Sequence, residues 1–551
     1  MSLTDALRSV ADRDTGRALR VFRGGKETER VGFAQLHLEA GQLACGLLER
    51  GVGRGERVGL ALPTSPDFAR AFFGVLAAGA VPVPLPPPIR FAPLEVYAHR
   101  IGLAMRQSRV ERVLTEGVLA ELLGPLLPQE QGRFTVLDVG SCRAGAPEYV
   151  PVPEDAPALI QYTSGTSSAP KGVILSHANL RANIDAIVAG LGVTEQDVSG
   201  SWLPLFHDMG LIGMFLTPVL NDIETFLQPP EDFLRDPGRW LRIISEHGVT
   251  ISTAPNSGYL HALHKTGPEQ VAEYDLSRWR LALNGAEAVD TALLRRFSAH
   301  FAPAGFRPEA FLPVYGLAEG SLAVTFPPVG RAVRTLLVDR EALAEGTVAE
   351  SQEPDGAREL ASVGVPVDGT ELRLVDPSGA PLAAEPAVGS IQIRGASVTS
   401  GYEDGSTAGA DGWVDTGDLG FRHDGELFVV GRTKEMVIVF GRNYYAADIE
   451  ALAAGCPGAV PDGVLAAGIP FEDGEGLVVF VETRETAPEA RNTLADQVRY
   501  AVSSTLGIAP RAVLPVRKGR LPRTSSGKLR RHGYQALYEQ YAAPAHPATE
   551  S

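Results

Sequence analysis

Short apolar runs alternate with amphipathic stretches over residues 1 to about 330 of the chain. The runs "GERVGLALP", "RVLTE" and "FTVLDV" have the length and β-branched content of buried strands. The stretches "SPDFARAFFGVLAAGA" and "HANLRANIDAIVAGLG" have helical periodicity instead. Strands that alternate with helices in this way are typical of parallel sheets covered by helices, so this part of the chain is predicted to have an α/β fold.

The pattern changes at about residue 360. "TELRLVD", "VGSIQIRG" and "GELFVVG" predict short strands separated by Gly, Pro and Asp turns. Beyond "GRTKEM", three apolar runs and the helical stretch "EARNTLADQVRYAVSSTLG" predict a compact α+β unit. The predicted organisation is a large N-terminal domain at 1–432, with layered α/β subdomains and a β-rich subdomain at about 360–432, followed by a small domain at 433–551. The tail "AAPAHPATES" is predicted to be disordered.

Composition narrows the class of protein. The 551 residues are too many for one ordinary core, and 44% hydrophobic with 21% charged residues is typical of a soluble globular protein. The formal net charge of -16 argues against a nucleic-acid binder, because phosphates would be repelled. The three cysteines show neither metal spacing nor a disulfide framework, which predicts a reducing, cytoplasmic location.

The longest apolar run is "AFFGVLAAGAVPVPLPPPI". Its second half is rich in proline, which a membrane-spanning helix would not accommodate. We expect a buried helix, then a strand and a Pro-rich loop, and no membrane span.

One loop, "YTSGTSSAPKG" at 162–172, carries candidate chemistry. It lies between the predicted strand "ALIQY" and a helix for which Ser176 is a candidate N-cap. Glycines, hydroxyls and Lys171 in a strand–loop–helix context favour an anion site, with backbone N–H groups facing the ligand. The loop lacks the Gly-Lys-Ser/Thr ending of a Walker A loop. Taken alone, it also fits a solvated linker.

Further segments resolve that choice by their order along the chain: "SWLPLFHDMGLIG", "LNGAEAV", "PVYGLAEGSLAV", "WVDTGDLGFRHDGELFVVGRTKEM" and "LPRTSSGKLRR". Together with the loop they resemble the motif series of the acyl-adenylate-forming enzymes, which include acyl-CoA synthetases, luciferases and adenylation domains. Within that superfamily the chain most resembles the fatty acyl-AMP ligases. Three features carry this likeness. The motifs "QYTSGTSSAPKGVILSHANL" and "WLPLFHDMGLIG" have the form found in that branch, and "GRNYYAADIE" resembles its Asn-Tyr motif. The long segment 333–364 resembles the insertion thought to restrain the C-terminal domain of those enzymes.

The resemblance implies that a fatty acid and MgATP form acyl-AMP and pyrophosphate. Phosphate binding is implied for Thr163, Ser164, Gly165, Thr166, Ser167 and Lys171. The adenine pocket is implied to comprise Asn284, Gly285, Ala286, Glu287, Tyr315 and Gly316. The remaining implied roles are Asp418 on the ribose, Arg432 on the ribose and phosphate, Glu319 as catalytic metal ligand for Mg²⁺, Lys528 as catalytic lysine, and Lys434 as hinge of a mobile C-terminal domain. Lys528 would stabilise the negative charge that develops as carboxylate meets α-phosphate.

Several of these residues have a plainer alternative. Glu319 on its own would be a solvated surface charge, and Asp418 a turn residue beside glycine. The segment His207, Asp208, Met209 and Gly210 matches the family's acyl-pocket motif, but the His–Asp pair equally fits a structural hydrogen bond. Ala288 and Ala446 stand where the family commonly has proline, and Thr166–Ser167 reverses the usual order; none of these changes removes a reacting group.

Two thiols are candidate acceptors of the acyl group: the phosphopantetheine of an acyl carrier protein, and CoA. The span 511–531 carries eight Lys or Arg and no acidic residue. It fits either a solvated surface or steering of an acidic acyl carrier protein bearing phosphopantetheine. The insertion-like segment favours the carrier protein over CoA. A third hypothesis, from another class, is a scaffold that keeps the fold without adenylating activity; the presence of Lys528, Glu319 and Asp418 argues against it.

Overall fold

The computed structural model describes residues 1–87, 94–127, 134–163, 171–383, 386–407, 409, 411–439, 442–471, 474–523, 529–531 and 533–542. The strands are β1 Ala18–Arg23, β2 Lys26–Gly32, β3 Arg57–Leu60, β4 Val81–Pro84, β5 Arg112–Thr115, β6 Thr135–Asp138, β7 Pro157–Thr163, β8 Lys171–Ser176, β9 Val198–Ser201, β10 Glu224–Leu227, β11 Ile251–Ala254, β12 Leu281–Asn284, β13 Phe311–Pro313, β14 Tyr315–Gly316, β15 Ala323–Phe326, β16 Thr335–Asp339, β17 Ala357–Pro366, β18 Thr370–Val375, β19 Gly389–Gly395, β20 Gly401–Tyr402, β21 Val414–His423, β22 Glu426–Arg432, β23 Met436–Val439, β24 Arg442–Tyr445, β25 Ala459–Phe471, β26 Gly474–Thr483 and β27 Ala512–Arg517.

The α-helices are α1 Leu3–Ala11, α2 Phe33–Glu49, α3 Pro66–Ala77, α4 Leu94–Gln107, α5 Val118–Leu126, α6 Val139–Cys142, α7 His177–Gly190, α8 Thr217–Leu220, α9 Pro230–Arg235, α10 Gly238–His247, α11 Asn256–Lys265, α12 Pro268–Val271, α13 Thr291–Phe301, α14 Arg340–Ala344, α15 Ala446–Ala454, α16 Pro488–Leu506 and α17 Tyr534–Ala542. Local sequence explains several of their starts. Ser65 caps α3 with proline at the next position, and Ser176 with Asn179 forms a capping box on α7.

Two sheets dominate the N-terminal part. Within the described ranges, one has the strand order β13-β12-β11-β9-β10-β1-β2 and the other β4-β3-β5-β6. Apart from the antiparallel β1–β2 pair, their strands run parallel, as the alternating pattern predicts. The helix-then-strand reading of the longest apolar run is confirmed by α3 and β4. The sheets pack on apolar cores. One of these cores includes a cluster of mutually packed aromatic rings around Trp240, Tyr259 and Phe297.

The β-rich part forms an antiparallel sheet with the order β14-β15-β17-β22-β21-β19-β18, and β16 pairs with β17 at its side. This sheet takes strands from Tyr315 onward, earlier than the change in sequence texture near 360. The early strands are too short to give a periodic signal, since β14 has two residues and β15 four. The boundaries of the domains remain a prediction.

The C-terminal residues form a smaller α+β unit. Strand β25 pairs antiparallel with β26, β26 pairs parallel with β27, and β23 pairs with β24 in a separate hairpin. Helices α15 and α16 cover an apolar core that includes Ile449, Val479 and Val498. The α/β fold, with a large N-terminal and a smaller C-terminal part, is therefore as predicted. The tail predicted to be disordered lies almost wholly outside the described residues.

In the ranges that the structure describes, no helix combines the length and the apolarity that crossing a bilayer would require. Cys45, Cys142 and Cys456 are all buried free thiols.

Candidate active site

A tyrosine of β14, an aspartate of β21 and an arginine of β22 meet through their side chains. The Tyr315 hydroxyl donates to Asp418 Oδ2 at 2.7 Å, and Arg432 Nε donates to Oδ1 at 2.9 Å. Asp418 and Arg432 are direct cross-strand partners in the β21–β22 ladder, which explains why the pair forms. Asp418 is only 4% exposed, whereas the Arg432 side chain is 45% exposed. Burial, together with the Asp418 charge, holds the pKa of Tyr315 well above its usual range, so the phenol stays a donor.

Glu319 lies in a short 3-10 turn, Ala318–Gly320, one residue after β14. Its Oε1 accepts a hydrogen bond of 3.2 Å from the Tyr402 hydroxyl. Burial raises the pKa of Glu319, and the nearby Asp208 charge acts in the same direction. The plainer reading of Glu319 as a solvated surface charge is therefore wrong. A half-buried carboxylate with one oxygen on a phenol retains acceptor capacity for a cation.

Lys171 is the first residue of β8, which pairs antiparallel with β7. The predicted strand–loop–helix arrangement is wrong in this respect, because the loop joins two strands of a hairpin and α7 begins only at His177. The missed strand, "KGVIL", is short and follows directly on the polar loop. The Lys171 side chain is exposed, and its Nζ lies 4.9 Å from the centroid of the Tyr402 ring. Ser164, Gly165, Thr166 and Ser167 lie outside the described residues; Thr163 ends β7.

The segment Asn284, Gly285, Ala286 and Glu287 leaves the carboxyl end of β12 in the parallel sheet. Asn284 is 1% exposed and donates from Nδ2 to Ala254 O at 3.4 Å. Among the described residues, none supplies a hydrogen-bond donor to Asn284 Oδ1. A buried acceptor without a donor is unusual in a folded protein. Ala286 has a positive φ of 66°, so the backbone turns sharply here.

His207 and Asp208 precede a π-helix, Met209–Leu216, and Asp208 Oδ1 accepts from the Met209 N–H at 2.7 Å. Wide π-helical turns are rare and often occur at functional sites. Gly210 is required by packing, because a Cβ there would lie 2.3 Å from Pro204 O. Asp208 therefore has the structural role of capping this turn. The acyl-pocket role of the segment stays a prediction.

Lys434 lies in the exposed 3-10 turn Thr433–Glu435, directly after the end of β22. Lys528 lies outside the described residues, which resume at Leu529. Arg523 and Leu529 form a β-bridge, and the Arg530 N–H donates to Pro522 O at 2.8 Å. Residues 523 and 529, which flank the five undescribed residues 524–528, are thus paired with each other.

Two arginines tie the chain on either side of residues 524–528 to the rest of the C-terminal unit. Arg523 lies 3.3 Å from the buried Glu482, and Arg531 donates two hydrogen bonds, of 2.8 and 2.7 Å, to Glu450. Arg531 also lies 3.5 Å from Glu435 in the turn beside Lys434. Part of the basic span is thus matched by carboxylates of its own unit; the exposed members are Arg511, Arg517, Lys518, Arg520 and Arg530.

The segment that resembles a family insertion contacts the C-terminal unit directly. Asp448 of α15 forms ion pairs with Arg340 at 3.1 Å and Arg358 at 3.0 Å. The Tyr445 hydroxyl donates to Leu343 O at 3.4 Å, and its ring packs in the same apolar cluster as the β16–β17 hairpin.

One continuous cleft of about 3110 Å³ joins these groups. Among the predicted site residues, the cleft is lined by Lys171, His207, Asp208, Met209, Gly210, Ala286, Glu287, Tyr315, Gly316, Glu319, Asp418, Arg432 and Lys434. It extends to Leu529 and Arg530, which follow Lys528 in the sequence. Asn284 and Gly285 are not among the residues that line it.

Sequence reasoning missed Tyr402 and its neighbour Glu403. Strand β20 adds to the β7–β8 hairpin, and Glu403 hydrogen-bonds with Arg57 and with the Tyr162 hydroxyl. The only signal, an aromatic residue within "SGYEDG", resembles an ordinary turn.

The fold and the cleft together define an adenylate-forming acid ligase. A model of the AMP-binding enzyme family matches residues 7–403, and the chain belongs to that family. Several relatives place it with the fatty acyl-AMP ligases, as its motifs predict. The medium-chain-fatty-acid–[acyl-carrier-protein] ligase JamA of Moorena producens is 32% identical over 92% of this chain and 90% of its own length. The long-chain-fatty-acid–AMP ligase FadD32 of Mycolicibacterium smegmatis is 33% identical over 88% of this chain and 85% of its own.

A Caulobacter vibrioides protein that carries the name acyl-CoA synthetase is 35% identical over 98% of this chain and 95% of its own length. Among solved structures, one from a study of fatty acyl-adenylate ligases from E. coli and L. pneumophila superposes with a TM-score of 0.91, at 31% identity over 98% of this chain and 99% of that chain. The predicted enzyme class is confirmed by these relatives. They bear different acceptor names, so the acceptor is taken up below as a proposal.

Proposed function

We propose that the protein activates a fatty acid with ATP, releasing pyrophosphate, and passes the acyl group from AMP to the phosphopantetheine thiol of an acyl carrier protein. The observation that carries the first half is the convergence of Tyr315, Asp418 and Arg432 with Glu319 and Lys171 on one cleft. Residues from distant parts of the chain meet there, and each has the chemistry that one part of MgATP requires.

The nucleotide end rests on Asp418. A carboxylate has about four acceptor positions, and Tyr315 with Arg432 uses two of them. The remaining positions suit the two hydroxyls of a ribose. The ring of Tyr315 offers a surface on which the base can stack, and Ala286 and Glu287 line the same cleft.

The phosphate end rests on Glu319 and Lys171. Mg²⁺ is commonly bound by one or two carboxylates together with substrate phosphates, so a single half-buried carboxylate such as Glu319 fits it. Among the described residues, no larger cluster of metal-ligating side chains occurs. When bound, the ion would neutralise charge on the phosphate oxygens. Lys171 would hold the departing pyrophosphate, and Lys528 would stabilise the charge where the carboxylate attacks the α-phosphate.

The acid is proposed to be apolar because of the wall of the cleft beyond His207. That wall includes Leu203, Met209, Met214 and Leu260, all of which pack on or within the aromatic core. Methionine side chains adapt their shape to a flexible alkyl chain.

The carrier protein is proposed as acceptor on two grounds. The Asp448 ion pairs hold the C-terminal unit against the insertion-like segment, and the exposed part of the basic span offers charge to an acidic partner. CoA remains the second candidate, favoured by the name of the Caulobacter relative. Competition between a phosphopantetheinylated carrier protein and CoA for one acyl-adenylate pool distinguishes them; faster acyl-CoA formation would overturn the carrier assignment.

Adenylation itself is tested by ATP–pyrophosphate exchange across saturated fatty acids of increasing length and aryl acids. Exchange with a fatty acid is expected, and its absence across the whole panel would favour a non-adenylating scaffold. Lys528→Ala should lower the exchange rate by about 10²-fold or more. The matched control is Lys518→Ala, an exposed lysine of the same unit. Equal rates for the two variants would refute the role of Lys528.

A further inference from the structure

We propose that Tyr402 is a positioning residue that holds the phosphate-binding lysine and the metal-binding glutamate of this site in a fixed relation, through the two ends of one side chain. The inference rests on the proposed roles of Lys171 and Glu319. The tyrosine's hydroxyl donates to Glu319 Oε1 at 3.2 Å, and the ammonium of Lys171 lies 4.9 Å from the centroid of its ring.

The backbone around Tyr402 connects the same two parts of the site. The Thr399 N–H donates to the Glu319 carbonyl at 2.8 Å, and the Thr399 hydroxyl donates to the Ile174 carbonyl of β8 at 2.6 Å. Strand β20 then pairs with β8, with Tyr402 opposite Val173. The segment 399–402 is thus bonded both to the turn that carries Glu319 and to the strand that begins with Lys171.

The next residue fixes this arrangement to the rest of the N-terminal part. The Glu403 N–H donates to Gly172 O at 2.9 Å, and its carboxylate hydrogen-bonds with Arg57 and the Tyr162 hydroxyl. A Cβ on Gly172 would lie 2.7 Å from a Glu403 carboxylate oxygen, so the two strands approach closely. Tyr402 therefore stands on a backbone held on both sides, which a side chain that sets distances requires.

The two contacts act in different ways. A hydrogen bond to a carboxylate orients it and favours its charged form, which is the form that binds a divalent cation. A cation–π contact holds an ammonium by its charge while leaving its N–H groups able to donate. Lys171 and Glu319 can thus be oriented by one residue while their remaining bonding capacity serves the phosphates and the ion.

Two substitutions separate these contacts. Tyr402→Phe removes the hydroxyl and keeps the ring, whereas Tyr402→Leu removes both. We expect the Mg²⁺ concentration at half-maximal exchange to rise about ten-fold in both variants. The KM for ATP at saturating Mg²⁺ should rise about three-fold only in Tyr402→Leu. Tyr149→Phe is the matched control, because Tyr149 also makes contacts with both its hydroxyl and its ring. The hydroxyl donates to His37 O and Arg8 lies over the ring, and none of these three residues lines the cleft.

Equilibrium binding supplies a readout that does not depend on catalysis. The protein is titrated in a calorimeter with a non-hydrolysable ATP analogue at low and at high Mg²⁺. Both variants should need more Mg²⁺ than the wild type to bind the analogue, and only Tyr402→Leu should bind it more weakly at saturating Mg²⁺. If the wild type shows no exchange with any acid, the proposed function fails, and this titration still decides the role of Tyr402. Unchanged Mg²⁺ dependence in Tyr402→Phe, or changes that only follow a lowered melting temperature, would overturn the proposal.

Discussion

Asp448 offers a direct test of how the C-terminal unit is held. Its carboxylate faces two arginines of the insertion-like segment, Arg340 at 3.1 Å and Arg358 at 3.0 Å. The Asp448 side chain is 11% exposed and that of Arg358 is 9% exposed. Asp448→Asn keeps the shape of the side chain but leaves two guanidinium groups facing each other without a countercharge.

The expected loss of free energy holding the C-terminal unit to the insertion-like segment lies between two limits. Exposed ion pairs contribute about 0–1 kcal/mol, and breaking a buried pair costs about 3–5 kcal/mol. For a largely buried carboxylate shared by two arginines we take about 2 kcal/mol, which corresponds to roughly a 30-fold shift toward the released arrangement. A cycle with Arg358→Met should recover much of this loss as coupling energy.

Amide hydrogen exchange measures that shift. In Asp448→Asn, the amides of β24 and of the first turn of α15 should exchange about 30-fold faster, since local opening controls their protection. Asp496→Asn is the control, because it removes a 76% exposed carboxylate from the same unit. If exchange in Asp448→Asn stays within about three-fold of the wild type, the ion pairs do not hold the unit and the restraint argument fails. Faster acyl-CoA formation in this variant would further support a restraint that selects the acceptor.

Three further outcomes follow from the structure. Burial lowers the pKa of His177 to about 4 from an ordinary value of about 6.5. The free energy of unfolding should therefore be highest above pH 6.5 and fall by roughly 3 kcal/mol toward pH 4, because the unfolded chain takes up a proton that the folded ring does not. Urea unfolding should show this pH dependence in the wild type and not in His177→Asn. Tyr315→Phe should keep base stacking but free Asp418 of one donor, raising the KM for ATP by two- to ten-fold in pyrophosphate exchange, whereas an unchanged KM would contradict the Tyr315–Asp418 arrangement. Gly210→Ala should lower the melting temperature by several degrees, because its Cβ would meet Pro204 O at 2.3 Å; a wild-type melting curve would mean that the π-helix relaxes without cost.

The order of strands and helices was predictable because their apolar periods are long and regular. The parallel sheets and helix α16 follow directly from such runs. Strand β8 was not predicted, because six residues of "KGVILS" adjoin a Ser/Gly loop and give no separate signal. Strands β14 and β20, of two residues each, exist only through their pairing with distant partners.

In the candidate site, likewise, some features were predictable from the sequence and others were not. Tyr315, Glu319, Asp418 and Arg432 were predicted from a family resemblance, and the structure brings them to one cleft. Their contacts were not predictable, since the Tyr315–Asp418 bond spans 103 residues and depends on sheet register. Tyr402 escaped notice because an aromatic residue in a polar turn has no local feature that marks it as part of a site.

Arg432 is the last residue of β22, and the turn that contains Lys434 begins at the next position. The side chain proposed to contact the nucleotide is therefore adjacent along the backbone to the point about which the C-terminal unit is proposed to turn. By thermodynamic reciprocity, if that rotation changes nucleotide affinity by some factor, the nucleotide changes the rotational equilibrium by the same factor. The chemical state of the bound adenylate then acts as an effector of the enzyme's own shape, with a single arginine as the point of contact between the two equilibria.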